Sequence, residues 1–374
     1  YSSAASDVYK RQNLTIEKTE YTLDADEERT ATVAFTAAAD WTLSVVYDDA
    51  ESSANWLSVT PTSGTAGEQT GELSAARNFR ASARTAYADI ACGKQSVRLT
   101  VTQTAASDAT DFTAQFDEAF AKELQKQGII ADAEHITPED MEKIAAITSL
   151  DVAGSYDNPG TLTSLRGIEY FESLEELSCL YNQLTALDVS RNTALTELRC
   201  DYNQLTSLDV SRNTALTYLD CNNNQLTELD VSRNTALTEL DCSGNPLTTL
   251  DISMNTALTK LYCAINELTT LDVSRNTALT ELNCANNELT TLDVSQNTAL
   301  TVLSCFSNEL PSLNISRNRA LTKFDCSYNP GDGVSSFPVT AWFDNDTKPG
   351  DLEIDEEQWK YDGKTITIDF RKAE

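Results

Sequence analysis

Residues 195–215 read Leu195-Thr-Glu-Leu198-Arg-Cys200-Asp-Tyr-Asn203-Gln-Leu205-Thr-Ser-Leu208-Asp209-Val210-Ser-Arg-Asn213-Thr-Ala215. From Leu174 onward this pattern returns every 21 residues, through eight units, without a slip of register. A unit this short cannot bury an apolar side alone, so successive units stack and bury a continuous axis. Leu and Cys then face inward, and the polar residues between them face out.

The repeated string LxxLxCxxNxLxxLDVSxNTA resembles a leucine-rich repeat. Its internal period is nested, ten residues then eleven, which is similar to the nested bacterial, internalin-like class rather than the strand-plus-helix horseshoe. Two partial turns precede it, at Ile147–Val152 and Leu162–Ile168. The C-terminal residues Phe337–Phe343 and the hairpin Trp359–Phe370, with Asp362-Gly363 as its tight turn, resemble the caps of Bacteroidetes surface repeat proteins. Ile366, Ile368 and Phe370 share one face and cover the last coil.

Four ladders follow from the period. Asn182 to Asn329 and Asn192 to Asn318 each recur at intervals of 21. A side-chain amide both donates and accepts, so these asparagines are expected to satisfy turn backbone that has no sheet partner. Cys179 to Cys326 form a third ladder. Each cysteine takes an inward leucine slot and is expected to be a free, buried thiol. Stacked neighbours about 4.8 Å apart with parallel side chains do not converge as a disulfide requires, and no CxxC metal cluster is present. Asp188 to Asp293 form the fourth ladder, followed in most turns by arginine. Alternating acid and base would offset its repulsion. Calcium would do so too, but the RTX-like calcium motif is missing.

Comparison of the coils separates fixed from free positions. LxxLDVSxNTA barely changes, whereas four outward slots around Leu-x-Cys vary. Apart from Phe324, every aromatic residue of the eight coils occupies one of these slots. Exposed aromatics on a rigid sheet are unfavourable unless they meet a partner. The candidate ligand-binding residues are Tyr181, Arg199, Tyr202, Tyr218, Asp220, Asp241, Lys260, Tyr262, Phe306 and Tyr328. With eight acidic and three basic residues in these slots, the face suits a neutral or cationic partner, a protein patch or a neutral glycan.

Residues 13–106 differ in kind. Strand-like runs at Asn13–Ile16, Ala31–Phe35, Trp41–Val46, Trp56–Val59, Gly71–Ala75, Tyr87–Cys92 and Ser96–Thr102 are separated by turn signals, which predicts an immunoglobulin-like β-sandwich. Trp41, the run Trp56–Gly64, Asn78 and the closing strand Leu99–Gln103 resemble the BACON module of secreted gut Bacteroidetes proteins. That resemblance implies carbohydrate or mucin contact, or a spacer role; Trp41 and Trp56 are read as core. Residues 107–146 turn helical. Phe112, Phe116, Phe120 and Leu124 recur every four residues, and Thr137-Pro138 starts a second helix. This pair is expected to plug the open end of the repeat core, with His135 solvated beside it. Residues 1–12 are read as a disordered tail or scar, without an export signal.

The chain is thus expected to be mainly β. Its parts are a tail (1–12), a BACON-like sandwich (13–106), a helical N-terminal cap (107–146), a leucine-rich-repeat solenoid (147–331) and a C-terminal β cap with its hairpin (332–374). Its formal net charge of −31 lacks the basic footprint that nucleic acid needs and disfavours anionic membrane surfaces. A single histidine, His135, removes most triad and imidazole–metal chemistry. Asp220 and Asp241 could imitate a carboxylate pair, but an open strand face offers no pocket to raise one pKa. The expectation is therefore a non-catalytic, extracellular or cell-surface, monomeric binding protein with no cofactor and no metal. The alternative is a spacer or scaffold with no specific ligand.

Overall fold

In the computed structural model of the chain, residues 13–26, 28–47, 56–106 and 111–373 are described. The predicted tail 1–12 and the start of the predicted helical segment, 107–110, lie outside them. Every coil of the repeat contributes one three-residue strand, Glu176–Ser178, Glu197–Arg199, Tyr218–Asp220 and onward to Lys323–Asp325. They pair in parallel so that Leu177, Leu198, Leu219, Leu240, Leu261, Leu282 and Leu303 stack in register, ending on Phe324. These side chains are fully buried, each worth about 1.5–3 kcal/mol relative to exposure. The LDVS half runs mainly as tight turns; only Leu313–Asn314 forms a strand there.

The two asparagine ladders explain those turns. In the first, Asn245 Nδ2 donates to the carbonyls of Cys221 and Cys242, both at 3.1 Å, while its Oδ1 accepts the Leu226 N–H at 3.0 Å. One amide thus ties its own coil to the preceding one. In the second, Asn234 Nδ2 donates to the Val210 and Asn213 carbonyls, both at 2.9 Å. The aspartate ladder has a third role. Asp188, Asp209, Asp230, Asp251, Asp272 and Asp293 each accept the N–H of the serine two residues on, at 2.8–2.9 Å. Hydrogen bonds from that serine hold these carboxyls below the usual carboxylate range. Asn314 does the same for Ser316, so the turn requires an acceptor rather than a charge. All eight ladder cysteines are free and buried, and burial drives their thiol pKa values up.

The chain divides into two units, 1–114 with 129–145 and 115–128 with 146–374. The division corrects the predicted helical plug. Helix α1, Glu118–Lys126, belongs with the solenoid, where Phe120 lies against Phe171 with ring centroids 6.1 Å apart. Helix α2, Pro138–Ala145, belongs with the sandwich, and Glu142 takes a two-pronged hydrogen bond from Arg80, both arms at 2.7 Å. The four-residue aromatic stripe is also broken. Asp117 accepts the N–H groups of Ala119 and Phe120 and starts α1 there, while Phe112 packs edge-on against Phe79 of the sandwich unit. Thr137 caps α2 as expected, trading hydrogen bonds with Asp140. His135 is half-exposed and 3.3 Å from Asp111.

The sandwich has a four-stranded and a five-stranded sheet. Two of its strands were not predicted. Glu20–Leu23 pairs in parallel with the closing strand, and Ser63–Gly64 lies inside what reads as a turn. Trp41 and Trp56 are 2% and 4% exposed, core residues as expected. Gly64 faces the indole of Trp41, and a Cβ there would approach the ring to 2.7 Å. At the other end of the chain, Gln358–Tyr361 and Lys364–Lys372 form the predicted hairpin. Ile366, Ile368 and Phe370 are buried, and Trp359 Nε1 donates to the Asn329 carbonyl of the last coil at 2.9 Å. Glu353–Ile354 adds a tenth strand to the solenoid sheet, a closure the hydrophobic pattern did not reveal.

Candidate binding face

Each strand of the solenoid ends at its cysteine, and the chain must then turn to aim the ladder asparagine inward. The residue two after cysteine makes this turn with a left-handed backbone in every coil: Tyr181, Tyr202, Asn223, Gly244, Ile265, Asn286, Ser307 and Tyr328, with φ between 50° and 66°. Its N–H still reaches the next coil, as from Tyr202 to the Asn222 carbonyl at 3.0 Å and from Ile265 to that of Ala285 at 2.9 Å. Glycine and asparagine suit this conformation. Tyrosine and especially β-branched isoleucine are disfavoured there. Yet Tyr202, Ile265 and Tyr328 are 42%, 61% and 45% exposed, so burial does not compensate them. The result is a ridge of strained, solvent-facing side chains along one edge of the sheet.

At the N-terminal end of this ridge Tyr181 and Tyr202 stack, with centroids 4.2 Å apart and planes at 11°. Next to them, Arg199 donates to Glu197 at 2.7 Å and lies 5.0 Å over the ring of Tyr218. Tyr218 is half-buried, and its hydroxyl pKa is pushed up to about 12 by burial and then by Asp220. Lys260 lies 3.4 Å from Glu239. The Tyr262 hydroxyl donates to Glu281 Oε2 at 2.6 Å.

Asp220 and Asp241 are adjacent in the sheet register, partly buried, and joined by Asn222, whose Nδ2 lies 2.6 Å from Asp220 Oδ1 and 3.4 Å from Asp241 Oδ2. Burial, then repulsion from Asp201, raises the Asp220 pKa to about 7; burial also raises that of Asp241. This overturns the expectation that an open face leaves these carboxyls unshifted. The strand faces are shallow, but neighbouring coils and their like charges still desolvate and repel. The Asn222 amide sits between the two carboxyls, where a carboxylate pair working on a substrate would need room.

Of the ten expected residues, the eight from Tyr181 to Tyr262 fall on five successive coils. Phe306 and Tyr328 lie further along, Tyr328 roughly 30 Å from Tyr202 at about 5 Å per strand, and it reaches Glu356 at 3.4 Å instead. Two residues absent from the expected set belong beside the cluster. Asp201 is 6% exposed, its pKa raised by burial to about 6. Its position among the variable slots was the available signal. Tyr156, 81% exposed in the loop before the first full coil, had none, because it lies outside the period.

The family model of the viral BACON domain matches residues 13–106. The model of two-copy leucine-rich repeats matches residues 193–234 and 214–255. No curated protein sequence matches the chain. Among solved structures, the functional domain of InlJ from Listeria monocytogenes, which includes a cysteine ladder, is 34% identical with a TM-score of 0.48, over 70% of this chain and 61% of its own. The leucine-rich-repeat ectodomain of the plant membrane receptor kinase GASSHO1/SCHENGEN3 from Arabidopsis thaliana, in complex with CASPARIAN STRIP INTEGRITY FACTOR 2, is 16% identical with a TM-score of 0.45, over 63% of this chain and 32% of its own. The chain therefore spans about three fifths of the first structure and a third of the second. Among the described residues no helix is long and apolar enough to cross a membrane. By the two family models, the chain is similar to the BACON domain over residues 13–106 and to leucine-rich repeats over residues 193–255.

Proposed function

We propose that the chain is a non-catalytic binding protein, exposed outside the cell or at its surface, that captures a protein partner on the variable strand face of its solenoid. One observation carries this reading: tyrosine and isoleucine occupy left-handed, solvent-facing positions where asparagine or glycine would serve the fold better. Residues kept against their conformational preference, and not buried, answer to something outside the chain. Both module families, generally binding modules, support the same reading. The Tyr181–Tyr202 stack also offers a flat platform for a sugar ring, so glycan capture is the second reading.

The test is capture by the immobilised full chain from arrays of surface proteins and of glycans. The expected result is a protein ligand lost in the Tyr202→Ala/Tyr218→Ala variant with an unchanged thermal melt. Glycan hits alone would favour the second reading. Silence on both arrays would leave a spacer, and a ligand indifferent to both tyrosines would place recognition elsewhere.

A further inference from the structure

We infer that the strand face seats a basic side chain, arginine or lysine, of an extended segment of the partner, against Asp220 and Asp241 with Asp201 behind them. The inference rests on the strand face being the recognition surface and adds the chemistry of what it recognises.

Three carboxyls from three adjacent coils converge here. Their partners are neutral. Asp220 accepts from the amide and side chain of Asn222 at 3.1 and 2.6 Å, and Asp241 from the Ser243 N–H at 2.9 Å and from Asn222. Asp201 Oδ1 is buried and has no hydrogen-bond partner. A buried, unpartnered carboxylate oxygen is costly unless a donor arrives. The two neighbouring cations are engaged at the rim, Arg199 with Glu197 and Lys260 with Glu239, and none of the three aspartates makes an ion pair among the described residues. The cluster is therefore acidic, partly buried and without an ion pair among the described residues.

The flanks select the shape of the cation. Tyr218 borders Asp220 and Asp241 from the neighbouring outward row, and Tyr262 follows Asp241 in register. Arg199 already lies over the Tyr218 ring while its guanidinium pairs with a carboxylate, so the chain itself displays the contact that an incoming arginine would repeat. Beside the aspartates the Tyr181–Tyr202 stack, with Tyr202 exposed, gives the rest of the segment an apolar rest. A second copy of this chain, at net charge −31, is a poor occupant.

The experiment measures binding of an alternating Arg-Ser octapeptide to the full chain by calorimetry, with an Asn-Ser octapeptide and calcium chloride as separate probes. Asp220→Asn/Asp241→Asn is compared with Asp251→Asn/Asp272→Asn, which removes the same charge from the turn face. The expected result is binding of the arginine peptide alone, weakened at least tenfold by the first pair and less than twofold by the second. Equal weakening by both pairs would show attraction to net charge only and would overturn the inference. So would tight calcium binding that displaces the peptide, or no peptide binding. Should the first pair fail to fold, perturbation of the native Asp220 carboxyl resonance by the peptide decides the matter, and an unmoved resonance overturns the inference. Failure here with tyrosine-dependent protein capture intact removes only the basic-residue assignment. Peptide binding that depends on Asp220 and Asp241, with no tyrosine-dependent partner, removes only the broader reading.

Discussion

The two sides of each coil obey opposite rules. On the turn side the side chains serve the fold: asparagine amides donate to backbone carbonyls, although the Oδ1 atoms of the ladder Asn192 to Asn318 stay buried without a partner, aspartates accept serine N–H groups, and the sequence hardly changes between coils. On the strand side aspartates are crowded and desolvated, bulky residues adopt left-handed backbone, and neighbouring coils differ. A repeat stack needs only nearest-neighbour complementarity, and the turn side supplies it. The strand side is left to carry residues that weaken the stack, as binding surfaces often do.

That contrast predicts substitutions of opposite sign. The largest effect belongs to the inner ladder. Asn245→Ala orphans the Leu226 N–H and strips one of two amide donors from each of the Cys221 and Cys242 carbonyls, which keep Asn224 and Asn266, and is expected to cost about 2–3 kcal/mol in urea unfolding. A cost below 1 kcal/mol would show that the ladder is decorative. Next, Asp201→Asn is expected to stabilise. The Asp201 pKa is raised to about 6, so near pH 5 the folded chain holds a proton that the unfolded chain has released. The resulting penalty is absent below about pH 4 and complete once pH has risen past the folded value. The variant should gain about 1–2 kcal/mol at pH 8 and nothing at pH 4. A gain independent of pH would break the electrostatic explanation.

Ile265→Asn follows, relieving a left-handed β-branched residue and gaining about 1 kcal/mol by the same unfolding measurement. A loss instead would mean that Ile265 packs usefully where it stands. Smallest is Asp230→Ala, which removes one acceptor from the Ser232 turn and is expected to lose about 0.5–1 kcal/mol. Asp230→Asn, retaining the acceptor as Asn314 does, should be close to neutral.

The solenoid was legible because its period repeats one set of local rules eight times, and inward leucine, cysteine and corner asparagine each follow from chemistry visible in one coil. The breaks in that legibility have physical causes. Glu353–Ile354 closes the sheet with two residues, too few for alternation to show. Phe112 continues a helical spacing, but the Asp117 cap outweighs it. Of the site, the variable slots and their aromatics could be read directly. The left-handed backbone at Tyr202 and Ile265 could not, because the preference of Asn223 and Gly244 for that geometry shows only once the coils are aligned as turns. The raised pKa of Asp220 comes from burial between neighbouring coils and then from Asp201 of the preceding coil, neither of which spacing along the chain displays.

The most direct measurement is a guanidinium denaturation of the full chain carrying Asp201→Asn, Tyr202→Asn, Asp220→Asn and Ile265→Asn together, at pH 8. If the strand side carries binding at the expense of stability, its midpoint rises above that of the native chain while partner capture is lost. A midpoint that falls would mean these residues hold the solenoid together, and the division of labour between the two sides would not stand.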